Sequence, residues 1–294
     1  MTALALVQAR ALDLVQLAKP RLTSMVIFTT LGGFLLAPGR VDALHAIWTV
    51  IGTTLVVAAA NTLNMYWERD SDAFMERTRD RPLPAGRMQP AVALWFGVGL
   101  SAISLPLLAS SAGPLPAALA GLAFLAYVFV YTPLKRRSWL AVLVGAVPGA
   151  MPPLIGWCAQ TQRLDAAGLA LFAILFVWQL PHFVAISIYR LDEYTRAGIR
   201  VLPAVCGVAA AKVHLLVYAI LLLPVTLALE PLGVAGRRYT LVAAVLGAGF
   251  VGGGLAGLAP QRGPRWARGM FLYSLAYLTV IFAVLAADAR LRRS

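Results

Sequence analysis

From Met88 to Leu134 the chain runs for 47 residues without one ionised side chain. Soluble globular chains carry a charge at about every fourth position, so a silence of this length belongs in lipid. Seven further charge-free windows flank it: Leu22 to Gly39, Ala43 to Trp67, Ser138 to Gln162, Ala166 to Tyr189, Val213 to Leu229, Tyr239 to Gln261 and Gly269 to Ala287. A bilayer core takes about 20 helical residues, so each of these is one span. The longest window holds two, because Ser110-Ser111-Ala112-Gly113-Pro114-Leu115-Pro116 interrupts it in the middle. The expectation is an all-α polytopic membrane protein, a single domain over residues 1–294 with nine transmembrane helices. Their approximate bounds are 22–39, 43–67, 90–109, 116–134, 138–160, 166–189, 213–229, 239–259 and 269–287.

The net charge of +13 does not mark a nucleic-acid binder, because the basic residues sit in short loops between apolar spans. Of the 25 Lys and Arg, 18 fall in the amino-terminal segment and the loops that share its side, and 7 on the other side. This puts the amino terminus and the larger loops in the cytoplasm and the carboxyl terminus opposite. Eight of the twelve carboxylates lie on the same cytoplasmic face. Orientation needs only the positive charge there, so the acids call for a function. The amino-terminal segment lacks a signal-peptide layout and is expected to lie in the interface, with Leu6, Ala9, Leu14 and Leu17 on one face. Cys158 and Cys206 fall at opposite faces, which leaves no disulfide between them to expect.

The acids concentrate in Asn61 to Arg87, NTLNMYWERDSDAFMERTRDRPLPAGR, which carries five of them. Asn64, Glu68 and Asp72 stand four apart, so on a continuing helix each is turned by about 40° and raised by about 6 Å from the last. Three oxygen-bearing side chains therefore share one face, and Asp70 points away. Hard oxygen ligands at that spacing suit Mg²⁺ held together with phosphate oxygens. Arg77, Arg79, Arg81 and Arg87 supply the cations that a diphosphate requires. A solvated helix end laced with ion pairs would use the same residues, but Asn64 lies inside a charge-free window, where an idle polar group is costly.

Three other places carry polar chemistry on the cytoplasmic side. The stretch Arg190 to Lys212 is expected to be a long loop; it presents Asp192 and Glu193, then Arg196, then Leu202-Pro203, much as the first stretch presents acids, arginines and Leu83-Pro84. A weak duplication of a four-helix unit would bring both to one cavity. Tyr127, Tyr131 and Thr132 lead into Lys135-Arg136-Arg137 at a helix end; these are ordinary interface anchors, and Lys135 and Arg136 could also reach a diphosphate. His182 follows Pro181, so it either satisfies a kinked backbone or faces a cavity, where it could bind haem iron or take a proton.

At these residues the sequence resembles the intramembrane aromatic prenyltransferases of the UbiA superfamily, whose first signature is Asn-xxx-Asp-xxx-Asp. Within it, Lys19-Pro20-Arg21, the run Asn64 to Arg87, Tyr131-Thr132 with Lys135-Arg136, Met151 to Trp157 and Trp178-Gln179-x-Pro181-His182-Phe183 are similar to the branch that farnesylates protohaem IX. The resemblance covers most of the chain. It implies a UbiA-type fold around a central cavity and transfer of the farnesyl group of farnesyl diphosphate to a vinyl group of haem B. It implies Mg²⁺ as cofactor on Asn64, Glu68 and Asp72, with Asp192 and Glu193 toward a second ion. It assigns catalysis to the first three with Arg77, Arg81 and Lys135. Substrate contacts would come from Lys19, Arg21, Tyr131, Arg136, His182, Arg190, Asp192, Glu193 and Tyr194. It further implies a bacterial inner membrane and hand-over of haem O to haem A synthase or terminal-oxidase assembly. Glu68 stands where the superfamily usually has Asp, and Asp192 has Arg196 rather than an acid four residues on. The alternatives are prenylation of a quinone-precursor ring or another lipid acceptor, and a secondary transporter. Carriers bury ionisable groups near the membrane midplane, whereas these spans lack Asp, Glu, Lys and Arg and the acids cluster at one surface.

Overall fold

Helices begin where an acid or a proline precedes an apolar run. Asp42 accepts backbone hydrogen bonds from Leu44 (2.9 Å) and His45, and Asp165 accepts one from Gly168 (2.9 Å). Pro20, Pro90, Pro114 and Pro264 each take the first position of a helix, where the missing N–H costs nothing. A computed structural model describes residues 3–76 and 78–293, with side chains for all of these but 3–7, 21 and 290–293. It shows α1 (Ala3–Leu17), α2 (Pro20–Leu36), α3 (Ala43–Asp72), α4 (Pro90–Ala112), α5 (Pro114–Leu134), α6 (Ala141–Thr161), α7 (Ala166–Tyr189), α8 (Leu191–Arg196), α9 (Leu202–Leu227), α10 (Arg237–Gly257) and α11 (Pro264–Arg293). Among the described residues there is no strand.

Eight helices of the described residues are long and apolar enough to cross a bilayer. The first expected span, α2, is a helix of 17 residues that stops at Leu36, because Ala37 turns to an extended conformation. The long window breaks at Gly113, whose φ of 104° favours glycine. Helix α3 runs past Trp67 to Asp72, so the four-residue spacing of Asn64, Glu68 and Asp72 lies on one continuous helix.

Two expectations need correction. The stretch Arg190 to Lys212 is not a loop throughout: α8 occupies its start, and α9 begins at Leu202 and bends at Gly207 (φ 84°). Lys212 lies inside α9 rather than at its start. It is 6% exposed, and its amine donates to the Ala259 carbonyl (3.1 Å), closing the end of α10. On α1, Leu17 and Asp13 face inward, whereas Ala9 is exposed and Leu6 lies outside the described side chains. The pull on that face is the ion pair of Asp13 with Arg87 (3.1 Å), beside the contact of Leu17 with Met65, Leu83 and Ala93.

Lipid supplies no hydrophobic drive between helices, so close packing has to. Small residues provide it. A Cβ on Gly33 would strike the Pro153 carbonyl and one on Gly156 the Thr30 carbonyl, so α2 and α6 meet backbone to backbone. Gly52 and Gly97 leave room for the Leu108 and Leu63 side chains where α3 packs on α4. Helices α2, α3, α5, α6, α7 and α11 thereby surround one central cavity, while α4, α9 and α10 back them from outside.

Candidate active site

The inner face of α3 carries Asn64, Glu68 and Asp72 at 1%, 8% and 4% exposure; Asp70, on the other face, has a side chain 77% exposed. Burying carboxylates is costly unless each is paired. Each residue of the series has a cation from a different segment. Lys19 Nζ donates to Asn64 Oδ1 (2.6 Å), Lys135 Nζ to Glu68 Oε1 (3.0 Å) and Arg81 Nη1 to Asp72 Oδ2 (2.6 Å). The Asn64 amide also donates to Thr132 Oγ1 (3.0 Å).

Local backbone explains how these cations arrive. Lys19 precedes Pro20, which disfavours the right-handed helical region for it, and it adopts φ 51°, a left-handed value uncommon outside glycine. After α3 the Thr78 hydroxyl donates to the Asp72 carbonyl (2.8 Å), and Arg81 N bonds back to the Thr78 carbonyl (3.0 Å). That fold-back returns Arg81 to Asp72. Within α5, residues Ala126–Tyr131 form a π turn. Pro133 has no N–H for the Phe129 carbonyl and crowds it, and Thr132 instead bonds by both N–H and hydroxyl to the Tyr127 carbonyl (2.7 Å for the hydroxyl). Tyr127 and Tyr131 stack at 5.4 Å beside Asn64 and Lys135.

Desolvation pulls the Lys19 ammonium down to about 7, against the opposing pull of Glu68. Burial would also lower Lys135, but Tyr131 and Glu68 outweigh it and hold this ammonium above the ordinary lysine value. Lys135 is thus a fixed positive charge.

From this polar end a cavity of about 640 Å³ extends between the helices, past Tyr127, Tyr131 and Gly149, to Trp178, His182 and Phe271. Apolar residues make up most of its wall. At the far end the His182 ring stacks on Trp178 (4.8 Å) and leans on Phe271 (4.9 Å), with Nδ1 2.7 Å from Ser274 Oγ. Trp178 Nε1 donates to the Ser274 carbonyl (2.7 Å), tying α7 to α11.

Of the residues singled out from sequence, Lys19, Asn64, Glu68, Asp72, Arg81, Tyr131, Lys135, His182 and Tyr194 line this cavity. Arg136 is exposed outside it. Glu193 is held by Arg190 through both oxygens (2.9 and 3.0 Å), and Asp192 faces a separate groove with Arg196 and Pro203. Neither Asp192 nor Glu193 is among the residues that line the central cavity. Arg77 lies outside the described residues, as does the Arg21 side chain. Sequence reasoning did not single out Ser274, nor Asn61, whose amide donates to the Ala18 carbonyl (3.3 Å) at the cavity wall. A serine inside an apolar span is too common to signal anything alone.

Among the described residues no group of three or more His, Cys, Asp or Glu is placed to hold a metal. Two carboxylates and an amide do not make a closed protein cage. They do suit Mg²⁺, which takes one or two carboxylates and completes its shell with phosphate oxygens and water.

Comparison with known proteins agrees with this geometry. The model of the UbiA prenyltransferase family matches residues 26–275. The chain is 51% identical over 278 residues to a protoheme IX farnesyltransferase of Myxococcus xanthus, covering 95% of both chains. It is 55% identical over 280 residues to one of Anaeromyxobacter sp., covering 95% of this chain and 94% of that one. Among solved structures, a digeranylgeranylglyceryl phosphate synthase superposes with a TM-score of 0.82 at 15% identity, covering 96% of this chain and 99% of that one. A UbiA homologue of Archaeoglobus fulgidus bound to GPP and Mg²⁺ does so with 0.65 at 14% identity, covering 93% and 99%. At those identities the superpositions speak for the fold alone. The family match over most of the chain and relatives above half identity speak for descent: this membrane protein belongs to the UbiA prenyltransferase family.

Proposed function

We propose that the protein transfers the farnesyl group of farnesyl diphosphate to a vinyl group of haem B, giving haem O and diphosphate. The observation that carries this is a single cavity with a cationic, acid-bearing mouth and an apolar body ending at an aromatic nest around His182. The mouth fits a diphosphate, the body an isoprenoid chain and a flat macrocycle. Relatives at 51% and 55% identity carry the name of this reaction.

In the reaction the allylic C–O bond breaks and its electron pair leaves with diphosphate. The terminal carbon of the vinyl group supplies the electrons of the new C–C bond. Water then adds at the carbon beside the porphyrin and loses one proton, which leaves a hydroxyethylfarnesyl substituent. Lys135, Arg81 and Lys19 stand where they can follow the departing diphosphate, exchanging Glu68, Asp72 and Asn64 for its oxygens. Glu68 and Asp72, with Asn64, would hold Mg²⁺ against the same diphosphate, and the ion would neutralise charge on the leaving oxygens when bound. Tyr127, Tyr131 and the apolar wall keep water from the allylic cation until the vinyl carbon attacks. Arg77 completes the set by its place in the sequence.

The charge distribution along the chain supports a cytoplasmic mouth and amino terminus, in a bacterial inner membrane. Haem O made there would pass to haem A synthase or to oxidase assembly. Membranes containing the protein, given haem B, farnesyl diphosphate and Mg²⁺, should yield a haem heavier by one farnesyl group and one hydroxyl. Unchanged haem beside a working control enzyme, or prenylation of 4-hydroxybenzoate instead, would overturn the assignment.

A further inference from the structure

Two short contacts at Ser274 decide the protonation of His182. Ser274 Oγ lies 2.6 Å from the Phe271 carbonyl and 2.7 Å from His182 Nδ1. A backbone carbonyl only accepts, so the one hydroxyl proton of Ser274 is committed to Phe271. The oxygen is then left to accept, and Nδ1 must carry the proton. The neutral ring therefore has its lone pair on Nε2. The ring cannot turn to exchange the two nitrogens, because Trp178 stacks on it at 4.8 Å and Phe271 leans on it at 4.9 Å. Ser274 is itself fixed, since Trp178 Nε1 holds its carbonyl at 2.7 Å. His182 lines the central cavity, and Pro181 before it lies within α7.

We propose that Ser274 is a positioning residue that locks His182 in the Nδ1–H tautomer, so that the Nε2 lone pair takes the iron of the porphyrin acceptor. Histidines that bind metal almost always donate their other N–H to an oxygen that fixes ring and tautomer, and this relay to Phe271 is of that kind. Iron held at His182 would anchor the macrocycle at the far end of the cavity and leave its rim toward the diphosphate mouth. This inference rests on haem being the acceptor.

The test is binding without turnover. Purified protein is titrated with ferric haem B and with metal-free protoporphyrin IX, following the Soret band, alongside the farnesyl-transfer assay. Wild type should prefer haem by about tenfold or more, and His182→Ala should abolish the preference. Ser274→Ala should lower it by about tenfold, with an altered Soret band, and Ser274→Thr, which keeps the hydroxyl, should restore it. Equal affinity of wild type for both porphyrins, with haem still farnesylated, would overturn iron ligation and leave the proposed function standing. An unchanged preference in Ser274→Ala would overturn the role of Ser274. No binding of either porphyrin together with no farnesylated haem would overturn both the inference and the function it rests on.

Discussion

Two acid-bearing segments lie at or just after helix ends in this protein, and they resolve differently. On α3, Glu68 and Asp72 face inward, nearly without solvent; Glu68 is met by Lys135, 67 residues away, and Asp72 by Arg81, which a fold-back of the chain returns to it. After α7, Glu193 meets Arg190 three residues away and Asp192 is exposed. A local pair on a short helix needs nothing from the rest of the fold, so it is worth little and positions little. A buried pair between segments 67 residues apart, as for Glu68 and Lys135, is costly to keep, and the fold must be arranged to hold it. Similar residue types thus do different work according to who partners them.

The largest effect should separate the segments outright. Asp72→Asn is expected to lower farnesyl transfer by roughly a thousandfold with the protein still inserted in membranes, read as haem product per mole of protein. Retained rate would break the comparison at its strong end. Lys135→Met should cost roughly a hundredfold, because a fixed cation beside the leaving group is lost. Metal binding offers a third measure. With Lys135 and Arg81 already paired to the two carboxylates, Mn²⁺ alone should bind weakly, and added inorganic diphosphate should tighten it about tenfold or more, seen by electron paramagnetic resonance. Asp192→Ala should change turnover less than about twofold; a loss near that of Asp72→Asn would erase the distinction. Smallest of all, Arg87→Ala should shift the thermal midpoint by an amount worth less than about 1 kcal/mol, since its pair with Asp13 is 42% exposed on the arginine side.

Much of the architecture was legible because charge is so costly in lipid. The window Ala166 to Tyr189 coincides with α7, as Asp165 caps its start and Arg190 ends it. The four-residue spacing of Asn64, Glu68 and Asp72 translated directly into one buried face. Where a charge serves another purpose, the same logic misleads. Lys212 looks like a boundary and is instead a buried cap for a neighbouring helix, so eleven residues of α9 read as loop. Partnership across the fold was equally hidden. Nothing near Asp13 announces Arg87, and Ser274 acquires meaning only where α11 crosses α7.

The π turn at Ala126–Tyr131 has one more consequence. On an ordinary helix, positions four apart turn by about 40° each time, so Lys135 would stand about 80° round from Tyr127. The wider turn winds that drift back, as a vernier corrects a scale, and lets the Tyr127 phenol and the Lys135 ammonium address α3 together. Deleting a single residue there would regularise the helix and leave the span uninterrupted, yet swing Lys135 off Glu68.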